Sequence, residues 1–442
     1  MPPFQMTQDF TAARAPKHTG AVPAQSDVVV IGGGIIGIMT AWFLQRSGQS
    51  VTVLEKGHIA GEQSSRNWGW VRQQGRHLAE LPIMMESLRI WRDLGQEVGQ
   101  DLGFRQHGIA YIAQNAQQLA AHENWLASAH HFGLDSRILT GTQLSALIPA
   151  MARQFPGALY TPSDARAEPW IAVPRIAASL AARGAVIREN CAVRGLDIAA
   201  GRVGGVVTAQ GRIAADRVVL AGGAWSSLLL RRHGVTVPQL SVKASVLATK
   251  PTTKDVFAGG AEQGRVAFRR RLDGGYTLAP SFFHELMLGP DAFRHLKTYL
   301  PMVTKDYRGT RFLPVAPAGY PDSWTTPRSW AFDTPSPFEA TPVLNPEPNH
   351  RKLRGLLEEF TRLFPALSGL EIHQGWAGMI DLMPDEIPIL DHVPALPGLC
   401  LATGMTGHGF GIGPGIGRVM ADLVTGRDPG HDLRPFAFDR FG

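Results

Sequence analysis

The sequence predicts an α/β domain with a parallel sheet, joined to an α+β domain built on a mainly antiparallel sheet. Three observations lead to this fold class. A β-branched apolar run at residues 28–31 precedes a glycine-rich turn and a helical pattern, which is typical of a buried parallel strand leading into a helix. A second strand with a glycine-rich turn and a helix follows at residues 399–423. Between them, from about residue 238 to 374, short strands and Pro-rich turns indicate an antiparallel sheet.

The first glycine-rich turn has the spacing G-x-G-x-x-G, with Gly32, Gly34 and Gly37. The first glycine permits a tight turn, the second lets the backbone approach a pyrophosphate, and the third allows close packing of helix on strand. A second strand at residues 51–54 ends at Glu55, where a carboxylate accepts hydrogen bonds from a ribose 2′-OH. This complete context predicts a dinucleotide site, and the acid disfavours NADP.

The length of 442 residues allows two hydrophobic cores, and the elements divide the chain into discontinuous domains. The first 26 residues are polar and rich in Pro, Gln and Ala, so they predict a mobile arm rather than a secretory signal. The dinucleotide-binding domain, which includes a β-meander, is predicted from residues 27–84, 150–237 and 375–442. The substrate-binding domain is predicted from residues 85–149 and 238–374.

The composition excludes several classes of protein. The net charge of +6 comes from scattered Lys and Arg residues, so there is no nucleic-acid footprint. Two cysteines, Cys191 and Cys400, provide neither a disulfide framework nor a Cys-rich metal site, which fits a reducing cytoplasm. No run of 18 apolar residues predicts a transmembrane segment, and no metal is expected.

Five segments carry a family resemblance: DVVVIGGGIIG followed by Glu55, SSRNWGWVRQQGR, VVLAGGAWS, WAGMIDLMPDEIPI and ATGMTGHGFGIGPGIG. Together they resemble the D-amino-acid-oxidase superfamily of FAD-dependent amine oxidoreductases. The most similar branch contains the sarcosine oxidases, glycine oxidase and dimethylglycine dehydrogenase. The resemblance covers about residues 27–430 and implies an FAD-binding Rossmann-type domain.

The resemblance implies a set of FAD-binding positions. The glycine motif would hold the pyrophosphate, Glu55 the ribose and Val193 the adenine through its backbone. The full set is Gly32, Gly34, Ile35, Ile36, Gly37, Glu55, Lys56, Ser64, Ser65, Arg66, Asn67, Trp68, Gly69, Val193, Gly222, Trp225, Gly378, Gly407, His408, Gly409, Phe410, Gly411 and Ile412.

The same resemblance implies substrate-binding and catalytic positions. Arg72 matches the arginine that pairs with a substrate carboxylate, for which a guanidinium fork is well suited. Trp68 and Trp70 would shape the substrate cavity. His408 would polarise the flavin or hold substrate, and His284 is a candidate base or substrate contact. For each of these residues a structural role, such as a surface arginine or a core tryptophan, is the alternative.

The sequence departs from the family at three positions. The oxygen-activating lysine aligns with Met287, and Lys243 on a neighbouring strand is a candidate replacement. Gly411 stands where a second carboxylate-binding basic residue is expected. Gly378 replaces a flavin-linking cysteine, so FAD is expected to be bound non-covalently.

The predicted function is oxidation of the C–N bond of an amine or amino acid by hydride transfer to flavin N5, giving an imine that hydrolyses. The substrate is expected to be bulkier than sarcosine, an N-substituted or D-amino acid. The re-oxidant is oxygen or an electron-transfer acceptor. The alternative is a flavin subunit that is active only with partner chains, and an oligomer is compatible with the sequence. An NAD-dependent dehydrogenase is disfavoured, because its motifs would not include the C-terminal glycine segment.

Overall fold

The computed structural model describes residues 14–306 and 309–441. Its strands are β1 Gln25–Ile31, β2 Val51–Leu54, β3 Trp70–Val71, β4 Ile109–Ala113, β5 Arg137–Thr140, β6 Gly157–Thr161, β7 Ala165–Arg166, β8 Val186–Arg188, β9 Val193–Ala199, β10 Arg202–Thr208, β11 Gly211–Leu220, β12 Leu240–Thr249, β13 Gly260–Gln263, β14 Val266–Arg270, β15 Tyr276–Pro280, β16 His284–Met287, β17 Thr310–Leu313, β18 Ile372–Leu382, β19 Ile389–His392 and β20 Leu399–Thr403.

The helices are α1 Ile35–Arg46, α2 Gln63–Arg66, α3 Leu81–Val98, α4 Ala116–Ala129, α5 Gly141–Leu147, α6 Pro169–Ala182, α7 Ser226–Arg232, α8 Pro290–Arg294, α9 Leu296–Asp306, α10 Pro337–Ala340, α11 His350–Leu363 and α12 Gly409–Thr425. Within the described part of the chain, no helix combines the length and apolar character needed to cross a membrane.

The first sheet is the predicted parallel sheet with a β-meander. Its strand order is β19-β20-β11-β1-β2-β8, and β1 runs parallel to both β2 and β11. Strands β9, β10 and β11 form the antiparallel meander. One face of the sheet is covered by α1, α3, α6 and α12, whose apolar side chains form a continuous buried core. The fold class predicted for this domain is confirmed.

The C-terminal glycine segment folds differently from the prediction. A glycine loop with a helix from about Pro414 is expected, but α12 already begins at Gly409. The glycines instead allow α12 to lie against α1. A Cβ atom built on Gly417 would stand 2.5 Å from the backbone carbon of Met39, closer than real side chains pack. The predicted start is therefore wrong, because these glycines serve close helix packing.

The second sheet is mainly antiparallel, as predicted. Its order is β17-β16-β12-β15-β14-β13-β4-β6-β5, with β18 also paired to β12. Strands β12 and β18 pair in antiparallel register along nearly their whole length, from Leu240 opposite Leu382 to Thr249 opposite Ile372. Helix α11 covers this sheet and contributes Phe360 to a buried aromatic core.

The sheets cross three of the predicted domain boundaries. Strand β6 lies in the second sheet, although residues 150–237 are assigned to the dinucleotide domain. Strand β18 also belongs to the second sheet and extends beyond residue 375. Helix α3 packs on α12 in the first domain, although most of it falls within residues 85–149.

The predicted mobile arm divides into two parts. Residues 1–13 lie outside the described residues. Residues 14–26 are held against the first domain, since the backbone N–H groups of Lys17 and His18 donate to the carboxylate of Glu189. The backbone N–H of Ala214 donates to the carbonyl of Ala24 at 2.9 Å, so the segment is tied down as far as the start of β1.

Candidate active site

An elongated cavity, here cavity 1, lies at the carboxyl ends of β1, β2 and β11, beside the N-terminus of α1. It encloses about 1220 Å³, including its open mouth. The predicted cofactor-binding residues that line it are Gly32, Gly34, Ile35, Ile36, Glu55, Lys56, Ser64, Asn67, Val193, Gly222, Trp225, Gly407, Gly409 and Phe410. Gly32 and Phe410, which are 378 residues apart in the chain, therefore meet at this cavity.

The glycine turn at one side of cavity 1 leaves no room for side chains. Gly32 has a φ of +113°, and a Cβ atom on it would lie 2.3 Å from the carbonyl oxygen of Ala221. A Cβ atom on Gly37 would lie 2.0 Å from the carbonyl oxygen of Gly32, so Gly37 permits the close contact of helix and strand rather than lining the cavity. These contacts give the tight turn that the motif predicts.

Glu55 lies half-buried on the cavity wall. Its carboxylate accepts the backbone N–H of Gly33 at 2.7 Å and that of Gly57 at 2.8 Å. Burial raises the pKa of Glu55, while the Lys56 ammonium and these N–H groups oppose the rise. The carboxylate is thus fixed in place with acceptor capacity left for a hydroxyl group in the cavity.

Glu62 is a cavity 1 residue that the sequence analysis misses. It accepts hydrogen bonds from Lys56 Nζ at 2.6 Å, from Trp225 Nε1 at 3.0 Å and from the backbone N–H of Leu344 at 3.1 Å. Burial favours a higher pKa for Glu62, but Lys56 and the hydrogen bonds outweigh it and lower the pKa. Lys56 Nζ also lies 4.3 Å from the centre of the Trp225 ring. The contacts of Glu62 therefore connect the loop that follows β2 to the segment that precedes α11.

Asp381 is a second missed residue on the cavity wall. Its carboxylate accepts the backbone N–H groups of Gly404 at 2.8 Å and Met405 at 3.1 Å. Burial raises the pKa of Asp381 to about 6, although these N–H groups oppose the rise. Asp381 therefore holds the loop that leads into α12. It lies within the motif WAGMIDLMPDEIPI, but nothing in the spacing distinguishes it there.

A larger cavity, here cavity 2, adjoins cavity 1 and encloses about 2590 Å³, including its mouth. Gln63, Asn67, Gly407 and Phe410 line both cavities, so the two meet at these residues. The structure brings all the predicted substrate-binding residues to cavity 2, namely Arg72, Trp68, Trp70 and His284, together with His408. Of the predicted cofactor residues, Arg66, Gly69 and Gly411 also line it.

Trp68 and Trp70 form one wall of cavity 2. Their rings meet edge to face with centroids 5.3 Å apart. The Arg269 guanidinium donates to the carbonyl of Trp68 and forms a bidentate pair with Glu168, at 2.9 and 2.8 Å. Arg269 and Glu168 are both almost fully buried, so this pair fixes the backbone that carries the tryptophans.

Arg72 stands half-buried on cavity 2 and stacks above the ring of Tyr111, with 5.8 Å between the guanidinium carbon and the ring centre. Its guanidinium donates to the carbonyl of Gln74. Within residues 14–306 and 309–441, no carboxylate forms an ion pair with Arg72. Arg72 therefore presents to the cavity a guanidinium that forms no direct ion pair.

The loop that carries Arg72 is joined to the glycine segment by Arg76. Arg76 donates from Nε to the carbonyl of Arg72 at 2.9 Å and from Nη2 to the carbonyl of His408 at 3.0 Å. Burial lowers the pKa of His408 far below its ordinary value, and the positive charges of Arg72 and Arg76 add to this effect. His408 is therefore an uncharged imidazole at neutral pH.

Several predicted positions are not brought to either cavity. Lys243 pairs with Glu285 at 2.9 Å on the opposite face of β12 from the neighbouring Val242, which lines cavity 2. Met287 packs in the core behind β16. The lining of the two cavities thus includes neither Met287 nor its candidate replacement. Four of the predicted cofactor residues also line neither cavity, namely Gly37, Ser65, Gly378 and Ile412.

Two buried polar atoms at the meeting of the cavities fit a bound cofactor or substrate. Within the described residues, Gln63 Oε1 and His408 Nδ1 have no hydrogen-bond partner in the protein. Buried polar atoms are rarely left unpaired, because their desolvation is costly. A Cβ atom on Gly378 would lie 2.2 Å from Gln63 Oε1, so the glycine leaves room for this side chain.

Comparison with known proteins agrees with this geometry. Residues 27–423 match the family model described as FAD dependent oxidoreductase. The chain belongs to this family. FAD is accordingly the cofactor, and cavity 1 brings together most of the residues that are expected from the sequence to contact it.

The chain is similar to enzymes that are named for action on amino acids. The structure of L-amino acid deaminase from Proteus myxofaciens, in complex with anthranilate, superposes with a TM-score of 0.92 at 31% identity, over 97% of this chain and 96% of that one. Glycine oxidase from Pseudomonas putida is 27% identical over 93% of this chain and 97% of its own length. Human mitochondrial sarcosine dehydrogenase is 26% identical over 99% of this chain, which spans 44% of that protein's length.

Proposed function

We propose that this flavoenzyme oxidises the C–N bond of an α-amino acid with a large apolar side chain. The α-carbon loses a hydride and the amino group loses a proton, giving an imine that water hydrolyses to a 2-oxo acid and ammonia. The observation that carries this proposal is Arg72, a half-buried guanidinium on a large cavity with no ion-pair partner among the described residues. A guanidinium fork binds a carboxylate through two parallel hydrogen bonds and so fixes orientation as well as charge.

The walls of cavity 2 support a large apolar side chain. Its lining includes aromatic side chains from several segments: Trp68 and Trp70 from one loop, and Tyr111, Trp125, Phe282 and Phe312 from elsewhere in the chain. A cavity of this kind binds an apolar group by removing its surface from water. The L configuration is proposed because the chain is 31% identical to an enzyme named L-amino acid deaminase. An N-substituted or D-amino acid is the alternative that the same experiment tests.

The protein's part in the reaction is to bind and orient. FAD, when bound, supplies the chemistry by accepting a hydride from the substrate's α-carbon. Arg72 holds the carboxylate, and the paired tryptophans limit the positions open to the side chain. His408 is uncharged, so it accepts or donates a hydrogen bond without repelling a cationic amine. Neither Cys191 nor Cys400 lines a cavity, in keeping with non-covalent FAD, which acid precipitation should release.

The test is an anaerobic titration of the purified flavoprotein with L- and D-amino acids and N-methyl amino acids. Bleaching of the flavin absorbance by L-phenylalanine or L-leucine is expected. Bleaching only by D-amino acids would reverse the proposed configuration, and bleaching only by N-methyl amino acids would make an N-substituted amino acid the substrate. Bleaching by none of them would refute the substrate class. Admitting air or adding a quinone then identifies the re-oxidant, and we expect the quinone to restore the absorbance faster.

A variant series links the activity to Arg72. Breaking a buried charge pair costs about 2–5 kcal/mol, so Arg72→Ala should raise KM by about 30-fold or more. Arg72→Lys should recover part of this loss, because a lysine keeps the charge but not the fork. Arg105→Ala is the matched control, since Arg105 forms an exposed pair with Asp101 away from both cavities. An unchanged KM for Arg72→Ala would refute the role of Arg72.

A further inference from the structure

Cavity 2 has an acid on its wall that the sequence analysis does not identify. Glu262 lies on β13 directly opposite Tyr111 of β4 in parallel register, so the two side chains are neighbours on one face of the sheet. Both residues line cavity 2, and Tyr111 is the ring above which Arg72 stacks. Arg72 and Glu262 are thus both neighbours of Tyr111 on the lining of cavity 2.

Glu262 lacks a partner of its own. Across the described residues, its half-buried carboxylate accepts no hydrogen bond and forms no ion pair, including with Arg72. A carboxylate that faces a cavity without a partner is unfavourable unless a ligand supplies a donor or a cation. Burial raises the pKa of Glu262 to about 7, and Arg72 opposes the rise. This side chain is therefore ready to ionise when a cation binds beside it.

The other acids near Arg72 already have partners or face solvent. Asp164 is fully buried and accepts the backbone N–H groups of Gln73 at 2.7 Å and Gln74 at 3.2 Å. Glu80 pairs with Arg76 at 3.3 Å. Glu386 also lines cavity 2 but is exposed. Glu262 is left as the half-buried acid beside Arg72 that is open to a ligand.

We propose that Glu262 determines substrate specificity by binding the amino group of the substrate while Arg72 binds its carboxylate. This assignment rests on the proposed function, because it requires an amino acid in cavity 2. In an α-amino acid the ammonium and the carboxylate are both attached to the α-carbon. A cation and an acid that line the same cavity without pairing with each other can bind both groups of one ligand and select against ligands that have only a carboxylate.

The test compares two ligands of the same shape in the intact flavoprotein. α-Methylphenylalanine has no α-hydrogen and cannot be oxidised, while 2,2-dimethyl-3-phenylpropanoate replaces its ammonium with a methyl group. Dissociation constants come from calorimetry and from the shift in flavin absorbance. Because a hydrogen bond to a charged group is worth about 1.5–3 kcal/mol, wild-type protein should prefer the amino acid by about 10- to 100-fold.

Three variants decide the outcome. Glu262→Gln should reduce the preference to about threefold or less while leaving the binding of the methyl ligand unchanged. Glu262→Asp, which keeps the charge, should restore much of it. Glu123→Gln is the matched control, since Glu123 is exposed on α4 and lines neither cavity. An unchanged preference in Glu262→Gln protein that retains its flavin absorbance overturns the assignment.

The experiment also separates this assignment from the proposed function. If both ligands bind wild-type protein equally and Arg72→Lys weakens both, cavity 2 binds carboxylates but Glu262 has no role. If neither ligand binds wild-type protein, the proposed substrate class fails, and the assignment of Glu262 fails with it.

Discussion

The packing of α12 on α1 leads to a prediction about Gly417. A Cβ atom at this position would lie 2.5 Å from the backbone carbon of Met39 and 2.8 Å from the backbone nitrogen of Thr40. Both are main-chain atoms of a buried helix, so they cannot move aside as a flexible side chain can. Gly417→Ala should therefore force α12 away from α1 by roughly 1 Å, towards ordinary van der Waals distance.

The magnitude follows from a comparison with Gly355. Replacing glycine by alanine inside a helix gains about 1 kcal/mol from reduced backbone entropy in the unfolded chain. Gly355 is exposed in the interior of α11 with no atom within 4 Å of an added Cβ, so Gly355→Ala should show this gain alone. Overpacking costs typically about 1–3 kcal/mol. The propensity term cancels between the two variants, so Gly417→Ala should be about 1–3 kcal/mol less stable than Gly355→Ala.

Urea unfolding of the flavin-loaded wild-type, Gly417→Ala and Gly355→Ala proteins, followed by tryptophan fluorescence, measures this difference. Gly417→Ala should also release FAD more readily, because α12 begins beside cavity 1 and carries Phe410 on its wall. Equal unfolding midpoints for Gly417→Ala and Gly355→Ala would refute the argument that the glycines exist to let the helices approach.

Two further predictions concern buried charges. Burial raises the pKa of Asp164 from 3.8 to about 7, so the folded protein keeps a proton that the unfolded chain releases. This contribution to stability is complete below about pH 4 and is lost as the pH rises towards 7. Asp164→Asn should therefore flatten part of the fall in urea midpoint between about pH 4 and 7, and equal slopes in the two proteins would contradict this. Lys56→Met leaves the Glu62 carboxylate without its cation and should lower the free energy of unfolding at pH 7 by about 1–3 kcal/mol and weaken FAD retention. Lys250→Met, which breaks an exposed pair, should change stability by less than about 0.5 kcal/mol, and a similar loss in both variants would contradict the role of Lys56.

The parts of the site that the sequence predicts are those encoded in short, contiguous spacing. The G-x-G-x-x-G turn with Glu55 fixes one side of cavity 1, because strand, turn and helix are adjacent in the chain. Arg72 follows Trp68 and Trp70 within four residues, so one loop brings all three to cavity 2. Local geometry is sufficient for these assignments.

The features of the site that the sequence does not locate depend on which face of a strand a residue occupies and on contacts between distant segments. Successive residues of a strand point to opposite faces, so Lys243 on β12 turns away from cavity 2 while Val242 and Ala244 line it. Sequence alone does not specify which face the cavity occupies. Glu262 lies on the same cavity as Arg72 because β13 pairs with β4, a strand about 150 residues earlier in the chain. A contact between segments so far apart in the chain produces no local sequence pattern from which it could be predicted.

The charges around cavity 2 limit how an amino acid can lie in it. Arg66 and Arg76 also line the cavity, but they donate to backbone carbonyls, and Arg76 in addition pairs with Glu80. His408 stays uncharged beside them, because a further positive charge there would be both desolvated and repelled. Within the described residues, Arg72 is therefore the cation that a substrate carboxylate can reach on this wall. Under the proposed function, with the carboxylate at Arg72, the substrate side chain would extend into the aromatic part of the cavity, so the charges would set the orientation of the substrate and the rings its size.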